Sequence, residues 1–136
     1  MDGLSDYYED KLNDFLFGAQ ALTPEATYYL ALATATVGED DDGSTFTEAN
    51  YTGYARVALT NNKTNFSASS GGVVSNATEI RFPKATGGSS TVVELVLLDA
   101  ETDGNIICGG TITTSKTYSD GDRPVFEIGE ITFTID

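Results

Sequence analysis

The sequence predicts a mainly β fold, an antiparallel sandwich or jelly-roll-like barrel with an N-terminal α-helix. Three observations lead there. Short runs rich in Val, Ile, Thr and aromatic residues recur from Tyr28 onward, separated by Gly, Asp and Asn. The last run alternates Ile131, Phe133 and Ile135 with Thr132 and Thr134, the period of two of a half-buried strand. Only residues 1–18 carry a helical period instead.

In that first segment Leu4, Tyr8, Leu12 and Phe15-Leu16 recur at three- to four-residue steps, with Asp6, Glu9, Asp10 and Asp14 between them. Acidic residues near its start suit the positive end of the helix dipole, and Gly18 supplies a stop. The apolar stripe either packs on its own domain or serves as an arm that docks on a neighbour, so Leu4, Tyr8, Leu12 and Phe15 are the candidate partner-interface residues. Residues 28–36 read as a strand, and the polar 38–50, with acids at 39–42, as a long exposed loop. Strands follow at 54–60, 71–74 and 78–82, the last with Ile80 and Phe82 opposite Glu79 and Arg81 and ended by Pro83. The most apolar run, 91–98, is expected to be central and buried. Asp103-Gly104 signals a hairpin to a strand over 105–113. Asp120-Gly121-Asp122 marks another turn, before strands at 125–128 and 130–135 with a kink at Gly129. About eight short strands at this spacing suit a sandwich or barrel. There is no internal repeat and no dividing linker, so 1–136 reads as one domain, with 1–18 as helix or arm and 28–136 as the sandwich.

Composition narrows the function. The formal net charge is −14, and the basic residues Lys11, Arg56, Lys63, Arg81, Lys84, Lys116 and Arg123 are scattered, which speaks against nucleic-acid binding. No apolar stretch approaches membrane-spanning length. The N-terminus lacks the pattern of a signal peptide, so synthesis in a host cytoplasm is expected. Asn-x-Ser/Thr matches at Asn50, Asn62, Asn65 and Asn76 then reflect β-loop composition. The chain has no histidine, which removes Ser-His-Asp and Cys-His catalysis, and the lone Cys108 reads as a small buried hydrophobe. The run from Asp99 to Asn105 opens like a calcium loop, but its twelfth position is Gly110 where a bidentate acid is needed, so a hairpin turn is the simpler reading. No catalytic residue, cofactor or metal site is assigned. Tyr51, Tyr54 and Tyr118 are candidate sugar-stacking residues if the chain binds host glycans.

Several stretches taken together resemble a known family. They are 4–12 (LSDYYEDKL) with 15–18 (FLFG), 23–32 (TPEATYYLAL), 53–57 (GYARV), 97–100 (LLDA) with 104–106 (GNI), and 121–126 (GDRPVF) before a terminal strand. In this order they resemble small virion proteins of tailed bacteriophages, often labelled tail-fibre-like. The resemblance spans nearly the whole chain and implies a non-enzymatic virion component. Its implied partners are the major capsid protein or other virion proteins, and it implies a homo-oligomer, a trimer in many such proteins. The compact chain, without fibrous repeat or receptor-binding extension, favours a capsid decoration (cement) protein. A tail, baseplate or tail-fibre module binding other tail proteins or host glycans is the alternative. The acidic residues 39–42 depart from the pattern.

Overall fold

The computed structural model describes residues 1–135. A helix, α1 (Asp6–Gly18), precedes strands β1 (Thr27–Ala33), β2 (Val57–Thr60), β3 (Val73–Ser75), β4 (Ile80–Arg81), β5 (Ser89–Val92), β6 (Glu94–Leu98), β7 (Ile106–Thr111), β8 (Lys116–Ser119), β9 (Val125–Phe126) and β10 (Thr132–Thr134). Six of them form one curled antiparallel sheet in the order β2-β1-β6-β7-β10-β3. The pairs β4–β9 and β5–β8 form two small antiparallel ladders. The mainly β architecture with one N-terminal helix is thus the predicted one.

The sheet centre explains the most apolar runs. In β1 and β6, Leu30 faces Leu97 and Leu32 faces Leu95, all in the larger core with Ile80, Phe82, Phe126 and Phe133. The intervening Ala31, Ala33, Val96 and Leu98 point to the opposite face and join Val37, Phe46 and Ile106 in a second cluster. Strands covered on both faces lose the alternation of half-buried strands and read as continuous hydrophobic runs. An aromatic chain from Tyr51 through Tyr54 and Phe82 to Phe126 fills the larger core, at centroid spacings of 5.5, 6.4 and 6.0 Å.

Four elements differ from expectation for identifiable reasons. The run 91–98 divides at Val93: β5 pairs with β8, and β6 enters the main sheet. Strand β8 is not among the predicted strands: with Tyr118 as its one buried residue, it carries no apolar alternation. Residues 38–50 are not a free exposed loop. Phe46 and Ala49 are buried, and Gly43 lies so close to the hairpin after β6 that a Cβ there would stand 1.8 Å from the Asp103 carbonyl oxygen. The acids of this segment hold its turns: Asp41 accepts from the Gly38 amide (2.8 Å) and the Thr45 hydroxyl (2.9 Å), and Asp42 from the Ser44 amide (2.7 Å). The Ser44 hydroxyl also donates to Asp42 (2.6 Å), and the bonds from Ser44, its hydroxyl first, lower the pKa of Asp42. Finally, Ile135 is 61 % exposed although Ile131 and Phe133 are buried. The ladder of β10 with β7 runs only to Phe133 opposite Gly110, because Gly3 to Ser5 occupy the rest of that edge, with Leu4 bridging Cys108.

Cys108 is buried as expected, and burial pushes its thiol from 9.0 up to about 12; burial likewise pushes Tyr51 from 10.0 up to about 12. Both groups ionise more readily in the unfolded chain. Their stabilisation is therefore complete below pH 9 and is lost as pH rises through the folded values near 12. The thermal midpoint should decline from about pH 9 upward, and Cys108 should resist a thiol reagent at about pH 8 until the protein is denatured.

Candidate partner-binding surface

The surface begins where the chain enters α1. Ser5 caps the helix, accepting from the Tyr8 amide (3.4 Å), while its hydroxyl also donates to the Ile106 carbonyl. Its own amide donates to the Ile107 carbonyl (3.0 Å), and the Gly109 amide donates to Gly3 (3.1 Å). These bonds fix the start of α1 to β7. Close approach is possible because position 109 is glycine: a Cβ there would stand 2.1 Å from the Met1 carbonyl oxygen. At the other end Ala19 adopts the left-handed conformation (φ 53°), the Gln20 amide donates to Asp14 (3.1 Å), and the chain turns back through Leu22 and Pro24 toward β1.

Between the helix and the returning chain lies an apolar trough of about 340 Å³, lined by Tyr8 and Leu12 of α1, Leu22, Pro24, Tyr28 of β1, Ile107 of β7, Leu4 and Ile135. Beyond it α1 presents Phe15, Leu16 and Phe17, exposed by 48, 59 and 86 %. Large exposed apolar residues grouped on one element are a common feature of interaction sites. Acidic residues stand near Tyr8 at the trough wall. Burial raises the pKa of the Tyr8 hydroxyl, and Tyr28, Asp99 and Glu25 raise it further. Tyr28 is also raised, by burial first and by Glu25. The one cation of α1, Lys11, stands 4.8 Å from the Tyr7 ring.

The expected interface residues separate into two groups. Leu4 lies before the helix, 7 % exposed, within the larger core. Tyr8 and Leu12 are half-buried against that core with one side open to the trough, and Phe15 projects outward. The trough also takes in Leu22, Tyr28 and Ile135, which sequence periodicity did not bring together. One signal was available: three consecutive apolar residues, Phe15-Leu16-Phe17, span more of a helix than a single buried stripe can cover.

A second cleft, of about 420 Å³, contains Glu48, Tyr54, Arg56 and the 101–103 turn. Arg56 Nε and Nη2 donate to the Glu48 carboxylate at 2.9 Å each, Nη1 donates to the carbonyls of Ala100 (3.0 Å) and Asp103 (2.9 Å), and Nη2 also donates to Gly43 (3.1 Å). All five guanidinium donors are thus engaged, which leaves none for an anion and makes Arg56 a clamp across three segments. The Tyr54 hydroxyl donates to Glu48 (2.7 Å) and accepts from the Leu32 amide (3.1 Å), tying the clamp to β1.

The tyrosines considered for sugar stacking are placed otherwise. Tyr51 and Tyr118 are buried, and Tyr54 is half-buried between Tyr51 and Phe82. Tyr51 donates its hydroxyl to the Pro83 carbonyl (2.7 Å). Packing has taken the ring faces that a sugar would need. Asp99, considered as the first ligand of a calcium loop, instead accepts from the Asn105 amide (2.7 Å) and side chain (2.9 Å), closing the hairpin.

No curated protein matches the sequence. A family model does, described as podophage GP4 fiber I protein gp80, over residues 3–134. The match takes in α1, every strand from β1 to β10, the trough residues Leu4, Tyr8 and Leu12, and the exposed Phe15. The chain therefore belongs to the podophage GP4 fiber I protein gp80 family, a family of small structural proteins of tailed-phage particles.

Proposed function

We propose that this chain is a building block of the tail-fibre apparatus, held to neighbouring virion proteins by the trough and the exposed end of α1. The observation that carries the reading is the family match over residues 3–134, whose description names a fibre. It favours the tail-fibre alternative over capsid decoration. The trough supports a binding role: its walls are apolar, its helix has no fully buried residue, and Phe17 is 86 % exposed. Fibre attachment by several modest contacts at once gives durable assembly without any large single interface. No chemistry beyond binding is required of the residues in either cleft.

Loss of the gene distinguishes this reading from decoration. Mutant heads should fill with DNA and withstand heating and low salt as wild-type heads do, while the tails lack fibre density. Heads that burst on mild heating, with tails intact, would return the chain to the capsid.

A further inference from the structure

Resting on the fibre reading, we infer that the occupant of the trough is a segment of another virion protein carrying apolar side chains flanked by lysine or arginine. The trough selects the apolar part. Leu4, Tyr8, Leu12, Leu22, Tyr28 and Ile135 line a space of about 340 Å³, enough for one or two large side chains. The acids around it select the flanks. Asp99 and Glu25 stand close enough to Tyr8 to raise its pKa, and Glu9 lies beside Tyr8 on α1.

Among the described residues, no lysine or arginine lines the trough. Lys11 is over the Tyr7 ring, Arg56 is clamped on Glu48, Lys63 bonds the Ser67 carbonyl, Arg81 pairs with Glu79, Lys116 lies over Tyr118, and Arg123 bonds the Phe82 carbonyl. Lys84 follows Pro83 at the far end of β4 and does not line the trough. The acids near the trough therefore meet no cation on its walls. Complementary potential across an interface orients the partner and speeds encounter. The same acids disfavour two alternatives. An anionic lipid surface is repelled, and a second copy brings another formal charge of −14 to the contact.

The test uses purified chain and particles from a phage lacking its gene. Wild-type chain should rebind, and binding should weaken as salt rises from about 0.05 to 0.5 M. The double variant Glu9→Gln, Glu25→Gln should bind about fivefold more weakly at low salt and show a shallower salt dependence. Both positions lie outside the core, so the variant should stay folded, its thermal midpoint within about 4 °C of wild type after loss of the Glu9 charge from the first turn of α1. Salt-independent rebinding, unchanged in the double variant, would overturn the basic partner while leaving the fibre reading intact. A dimer in solution that Leu12→Asp dissolves would make the occupant a second copy and overturn the inference. Failure of wild-type chain to rebind any particle component would count against the fibre reading itself.

Discussion

Replacing Arg56 by alanine should lower stability by about 3 kcal/mol, a fall in thermal midpoint of roughly 10 °C. The side chain is 4 % exposed and its partner Glu48 25 % exposed, so removal leaves a partly buried carboxylate without its cation. The carbonyls of Gly43, Ala100 and Asp103 lose their donor in the same step. Burial works against the guanidinium charge, yet the Glu48 carboxylate more than offsets it and raises the Arg56 pKa. Arg56→Lys should recover little. A lysine keeps the charge but presents a compact ammonium with three donors in place of the planar fork that reaches three segments. Thermal melts of the two variants beside wild type check this. Midpoints within about 2 °C of wild type would show that the clamp is dispensable.

Leu12→Asp should abolish rebinding of the chain to particles while leaving a folded, soluble protein. Leu12 is half-buried, at the open wall of the trough, and α1 contributes no fully buried residue. A carboxylate there meets the apolar surface the partner must cover, and desolvating it on binding costs more than the fold loses. Leu4→Asp serves as the contrast: Leu4 is 7 % exposed and bridges β7 through Cys108, so that variant should unfold. Circular dichroism and particle rebinding measured on both variants separate the two roles. Unfolding of Leu12→Asp at room temperature would assign the helix face to the core.

The fold class and the course of most strands were legible because the signals were local. Ile80 and Phe82 are buried while Glu79 and Arg81 point away, as their alternation required. Asp103 and Gly104 both have positive φ, 50° and 78°, in the hairpin that joins β6 to β7. What was not legible depended on contacts distant in sequence. An apolar run through Val92 and Leu95 gives no sign that the chain changes ladders at Val93. Ile135 follows the inward alternation of β10, but the edge it would need is held by residues at the opposite end of the chain. The stripe Leu4, Tyr8, Leu12, Phe15 has one period for two environments, because Ser5 starts the helix after Leu4 and leaves that residue in the sheet. The Arg56 clamp joins residues separated by 44 and 47 positions from its partners in the hairpin, and nothing local in GYARV announces it.

The central claim, a fibre component on the phage tail, is tested most directly by the position of this chain in purified particles, imaged with a label on the chain and with heads and tails separated. Label is expected on the tail fibres at a few copies per particle, with bare head shells. Label spread over the head shell would contradict it and establish decoration, and particles without label would remove the chain from the virion altogether.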